Sequence, residues 1–143
     1  MRIFVMVDKN YGISFNKRRQ TQDKVLREYI LSVVKQNTLY MNEYSYKQFM
    51  NTANNIKVDN KYLELAKPDE YCFVEMDYLK DIEYKISELY MCKWNRKYPA
   101  DKFLDIVMNT KWRMEDIIEI VGSSHDKITI EKWINKNYLK GNS

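Results

Sequence analysis

Asp23, one of 20 acidic residues, is a candidate for proton chemistry. It stands at the start of a stretch whose apolar residues repeat at helical spacing. Buried beside an apolar pocket, a carboxyl is pushed toward neutrality and serves as a general acid. In the first turn of a helix the same residue has a structural use, because its charge opposes the macrodipole. His125 is the only histidine, with Ser123, Ser124 and Asp126 beside it. A hydrolytic triad depends on geometry rather than adjacency, so this group reads as a turn histidine next to an Asx-type turn residue. No EF-hand, Walker or paired CxxC pattern is present, and no metal site is expected. Cys72 and Cys92 fall inside apolar strands and read as buried, inert thiols in a reducing compartment.

Two clusters mix cations with aromatics or polar neighbours. Lys17-Arg18-Arg19-Gln20 is followed by Lys24 and Arg27, and Lys93-Trp94-Asn95-Arg96-Lys97-Tyr98 lies further on. Brought together, these loops make a basic, stacking-capable surface of the kind that holds single-stranded nucleic acid or a phosphorylated partner. Held apart, they are solvated loops on a mildly basic protein. The formal net charge is +4, from 24 basic and 20 acidic residues. That balance excludes an acidic nucleic-acid mimic and lacks the sharp basic block of a dedicated nucleic-acid binder. Hydrophobic residues at 45% and charged residues at 31% fit a globular domain of 143 residues with its own core. No apolar run reaches membrane-spanning length, and the opening Met1–Val7 run is too short for a signal peptide. A cytoplasmic protein that does not engage membranes is expected.

The elements that must position these residues follow from apolar patterning. Residues 3–7 form a continuous apolar run, as in a strand buried on both faces. Residues 8–20 read as a long loop. Thr21 is the expected cap of a helix carrying Val25, Leu26, Tyr29, Ile30, Val33 and Val34. Strands are expected at 38–41, 55–58, 71–74 and 89–92. Helices are expected at 44–50, from Asp59 to Ala66, and over about two turns around Leu79, Ile82 and Ile86. Residues 112–121 and 128–134 read as two long closing strands joined by the turn Gly122-Ser123-Ser124-His125-Asp126. Trp94, Trp112 and Trp133 read as core or rim packing. The fold class is α/β: a single domain over 1–139, with a mostly parallel central sheet, helices on both faces and an antiparallel C-terminal hairpin. Residues 140–143 read as a loose tail.

This order resembles dihydrofolate reductase over nearly the whole chain. Tyr11-Gly12-Ile13 stands in the slot of the Ile/Val-Gly that opens the loop after the first strand. Asp23 stands where the family has its pterin-binding carboxylate. Met41-Asn42-Glu43-Tyr44-Ser45 fills the slot of Met-Gly-Arg-x-Thr, and Asn55-Ile56 that of the third strand. The resemblance implies an NADPH-dependent reductase of a pterin-like molecule with Asp23 as the acid, but the residues depart from it. Gly12, Gly122 and Gly141 are the only glycines, so the paired glycines that admit a dinucleotide pyrophosphate are missing. Glu75-Met76-Asp77 occupies their turn, where two carboxylates would repel phosphate. Glu43 replaces the phosphate-binding Arg, and Ala53 and Asn54 replace the Arg that clamps the folate tail. Cys92 replaces the Thr that supports the carboxylate, and the Pro-Trp before the first helix is absent. The chain is also similar to a short family from low-GC bacteria sometimes labelled ribonuclease Z, but the HxHxDH metal site that label needs is missing.

These departures lead to a non-catalytic binding or regulatory protein without a cofactor. Its setting would be a phage or mobile-element factor that inhibits or modulates a host protein. Arg18, Arg19, Gln20, Trp94, Asn95, Arg96 and Tyr98 are the expected partner-binding residues, with a protein as partner. The reductase using Asp23 and a nucleic-acid or nucleotide-binding module on the same loops are the alternatives.

Overall fold

In the computed structural model, which describes residues 1–138, short apolar runs stack side by side into a seven-stranded sheet. The strands that build it are β1 (Arg2–Val7), β4 (Leu39–Met41), β5 (Ile56–Val58), β6 (Tyr71–Val74), β7 (Glu88–Lys93), β9 (Trp112–Ile120) and β10 (Ile128–Asn135). Their order is β5-β4-β6-β1-β7-β10-β9. The first five in that order run parallel, and β10 and β9 close the sheet as an antiparallel hairpin. The expected tail at 140–143 lies outside the described residues.

The two faces of β1 feed two cores. Phe4 and Met6 point to one side, and Ile3, Val5 and Val7 to the other. This explains the unbroken apolar run, since a strand covered on both faces has no side for polar residues. Helix α1 (Lys24–Val34) covers the first face with Leu26, Ile30 and Val34, spaced one turn apart. Phe4 stacks between Tyr71 and Tyr90 there, with ring centroids 5.7 and 4.6 Å away. The second face is covered by Tyr62 of α3 (Tyr62–Leu65) and by Leu79 and Ile86, which flank a 3-10 helix (Lys80–Lys85).

Several local expectations are corrected. Asp23, not Thr21, caps α1: its Oδ1 accepts from the amides of Val25 and Leu26. The helix expected at 44–50 shrinks to α2 (Glu43–Tyr46), followed by turns. The segment after Asp59 is helical only over α3, and the two-turn helix near Leu79 is the 3-10 helix. The expected loop at 8–20 contains a hairpin of β2 (Gly12–Phe15) and β3 (Arg18–Arg19). With β8 (Lys102–Phe103) it forms a three-stranded sheet in the order β3-β2-β8. Asn16 and Lys17, between the strands, sit at φ 52° and 59°. Positive φ at both central residues is what a tight primed hairpin turn requires.

Candidate functional site

The connection leaving β1 runs through α1 on one face, and the connection leaving β6 runs through the 3-10 helix on the other. Neighbouring strands whose chains depart to opposite faces open a crevice at their carboxyl ends, where ligands of parallel sheets bind. Asp8 follows β1, Glu75 follows β6, Ser45 lies just past β4 and Trp94 follows β7, so all four converge on that crevice.

Glu75, 4% exposed, is gripped by Arg19 through two parallel bonds: Nε to Oε2 at 2.8 Å and Nη2 to Oε1 at 3.1 Å. Ser45 Oγ donates to Oε1 at 2.8 Å. The Arg19 guanidinium lies 4.3 Å from the centre of the Tyr44 ring, and the Arg19 amide donates to the Tyr44 hydroxyl. Burial works against the Arg19 charge, but the bond and the charge of Glu75 outweigh it and raise its pKa. A bidentate pair of this kind is directional as well as strong. The repulsion expected from Glu75 and Asp77 is corrected on this point: Arg19 neutralises Glu75, and Asp77 accepts a hydrogen bond from Tyr62. What closes the crevice is occupancy. Two spaces are left between Met6, Glu75 and Trp94, one reaching Leu26 and Phe73 and the other Ile13 and Arg19, and each measures about 10 Å³, the scale of one water.

Asp23 forms a second network beside the first and is 2% exposed. Besides the helix amides, its Oδ1 accepts from the Ser123 amide at 3.0 Å, and its Oδ2 accepts from the Ser124 amide at 2.8 Å. His125 Nδ1 donates to Oδ2 at 2.9 Å. An anionic carboxylate only accepts, so a proton sits on Nδ1, and the Tyr98 hydroxyl lies 3.0 Å from Nε2. The His125 ring stacks on Trp94, with centroids 4.6 Å apart and planes at 24°. Gly122 permits this closure, because a Cβ there would collide with the Asp23 carboxylate. Burial tends to raise the Asp23 pKa, but the bonds from His125, Ser124, Ser123 and Leu26 overrule it and hold the group far below the ordinary carboxylate range. The upward shift expected of a general acid is therefore reversed. Cys92 remains in the core, its thiol pushed up by burial, and is not among the partners of Asp23.

The two basic loops do converge. The Lys9 amide donates to the Arg96 carbonyl, and Gln20 Nε2 donates both to Asp8 and to the Pro99 carbonyl. Their membership as a contact surface is corrected, however. Trp94 is 4% exposed and faces His125, Arg19 is committed to Glu75, and Tyr98 to His125. Asn95, in a turn at φ 62°, donates its side-chain amide to Lys127 and Thr129. Of the expected residues, Arg18 and Arg96 point freely to solvent. Sequence alone marks His125 as a turn residue, and only the run of small residues before it, Gly-Ser-Ser, signals a loop able to wrap a carboxylate. Among the described residues no cluster of three potential metal ligands occurs, and no helix is long and apolar enough to cross a membrane.

No protein-family model matches the chain, and no curated protein matches its sequence. A solved dihydrofolate reductase from Enterococcus faecalis, in complex with NADP(H) and RAB-propyl, superposes with a TM-score of 0.64. The match covers 94% of this chain and 95% of that one at 9% identity. With the sheet order, the two covered faces and the crevice at the strand ends, this likeness shows that the chain has a dihydrofolate reductase-like fold.

Proposed function

We propose that this chain is a non-catalytic binding or regulatory protein on a dihydrofolate reductase-like scaffold, acting on a protein partner in the cytoplasm. A phage or mobile-element factor that modulates a host protein is the setting this reading suggests. One observation carries it: the Arg19–Glu75–Ser45 network fills the crevice in which a reductase would hold its coenzyme. The residues present do not fit a dinucleotide. Its pyrophosphate needs bare main chain, and Met76 and the buried Glu75 stand in that turn. Displacing Glu75 would leave the Arg19 charge half-buried without its partner, and breaking a buried pair costs about 3–5 kcal/mol. Asp23, saturated with donors, has no proton to give near neutral pH.

The test is thermal unfolding with and without NADPH, together with NADPH fluorescence. Held at ~1,000 times its Kd, a bound coenzyme stabilises by about 4 kcal/mol. The proposal expects no shift at millimolar NADPH. A clear rise in melting temperature, accompanied by oxidation of NADPH on adding dihydrofolate, establishes the reductase instead.

A further inference from the structure

Away from the closed crevice, the small sheet and the segment after it enclose a groove of about 390 Å³. Its walls are Tyr11, Phe103, Leu104, Ile106, Val107 and Met108. Val107 is 69% exposed, and Tyr11 and Phe103 are each 46% exposed, so large apolar side chains stand in solvent side by side. Contiguous apolar surface of this sort marks an interaction site more often than scattered residues do.

The groove is held in shape. Asp8, 3% exposed, accepts from the amides of Asn10 and Gly12 through Oδ1 and from Gln20 and the Tyr98 amide through Oδ2. These bonds fix the turn in which Tyr11 sits at φ 63°, a conformation that disfavours a bulky residue and persists only when its surroundings impose it. The Leu104 amide donates to the Tyr11 carbonyl, tying the second wall to the first.

Exposed cations flank the Asn10 end of the groove. Lys9 adjoins the groove residue Asn10, and its amide is bonded to the Arg96 carbonyl. The side chains of Lys9, Arg96 and Lys97 are exposed. Of the acids nearby only Asp101 is exposed, where it accepts from the Asn16 amide; Asp8 is buried, and the half-buried Asp105 accepts from the amides of Leu79 and Lys80, so three exposed cations stand against one exposed carboxylate.

We infer that this groove docks an acidic protein segment that inserts a bulky apolar side chain against Tyr11, Phe103 and Val107, with its carboxylates on Lys9 and Arg96. The inference rests on the binding-protein reading and names the chemistry of its partner. Charge complementarity selects an acidic occupant and steers its approach. A second copy of this chain would bring the same flanking cations, so pairing groove to groove opposes like charges. A nucleic-acid strand would find cations at the rim and ring faces on Tyr11 and Phe103, but most of the wall is the aliphatic surface of Leu104, Ile106, Val107 and Met108, which an apolar side chain fills better than a stacked base.

A random peptide library displayed on yeast and sorted against the intact protein tests this. Enriched peptides are expected to carry Leu, Ile, Met, Phe or Trp flanked by Asp or Glu. A synthetic peptide from that pool should bind at least about tenfold more weakly to Val107→Asp and to Arg96→Glu, and more weakly in high salt. Both positions are exposed, and circular dichroism checks that each variant is folded. No enrichment, enrichment without acidic residues, or binding unchanged in both variants overturns the inference. So does a fluorescent single-stranded oligonucleotide that binds more tightly than any peptide and loses affinity in Arg96→Glu but not in Val107→Asp. NADPH stabilisation with peptide binding intact overturns only the absence of catalysis. Failure of the peptide with NADPH still inert overturns only the groove.

Discussion

A carboxylate that accepts two helix amides, two loop amides and an imidazole is a fastener. Asp23 joins the start of α1 to a loop 102 residues away in sequence, and His125 extends the join to Tyr98. The linkage has a definite sign. The folded-state pKa of Asp23 is depressed, so the stability it contributes is fully present above the unfolded value, near 3.9, and drains as pH falls below it toward the folded value. Asp23→Ala should cost about 2–4 kcal/mol at pH 7, combining a lost cap with buried donors left unpaired. Asp23→Asn, which keeps an acceptor oxygen, should cost less and should lose stability less steeply between pH 4 and pH 2. Urea unfolding of the three proteins across that range decides the matter. Parallel pH profiles for wild type and Asp23→Asn would show that the carboxylate charge does not hold the loop.

At the scale of elements, the β2–β3 hairpin does the most to reshape the scaffold, since it delivers Arg19 into the crevice and Gln20 onto Asp8. Its turn, Asn16-Lys17, contains no glycine, although Lys17 sits at φ 59°. Lys17→Gly should relieve that conformation and raise stability by about 0.5–1 kcal/mol, after the entropy glycine loses on folding. A melting temperature unchanged or lowered in Lys17→Gly would refute a strained turn. The same missing glycine explains why 8–20 read as a loop, because tight hairpins are recognised in sequence by Asn-Gly or Asp-Gly. Strand β1 and helix α1 were legible because their burial is periodic: both faces for β1, and every fourth residue from Leu26 for α1. Helix α2 was overextended because Phe49 continues the apolar spacing from Tyr46 while sitting in a turn. The central pairings of the site were not legible. Arg19 meets Glu75 across 56 residues, and His125 meets Asp23 across 102, distances at which spacing along the chain carries no information. The Asp23 slot itself was readable through the resemblance to dihydrofolate reductase, together with its place at the start of a helical repeat.

For the molecule as a whole, a binding role requires that the exposed sheet edge not compete with the intended partner. Strand β9 is nine residues long and lies at the end of the sheet, with Met114 and Ile117 exposed at 39% and 52%, a template for pairing with another chain. It carries its own protection. The register shifts between Lys132 and Trp133, so Glu115 bulges out of the ladder, where Lys132 holds it at 3.0 Å. Asp116 Oδ1 accepts the next amide, that of Ile117, at 2.9 Å and so occupies a donor that an incoming strand would need. Bulges and charges on an edge strand are the usual defences against edge-to-edge association. The protein is therefore expected to sediment as a monomer, leaving its groove free for one partner per copy. Replacing Glu115 and Asp116 together by Val removes both devices and extends the apolar strip between Met114 and Ile117. That variant should dimerise or aggregate at concentrations where the parent stays monomeric, as read by sedimentation velocity. If it also remains monomeric, the edge is kept single by its twist rather than by these two acids, and the argument from local protection fails.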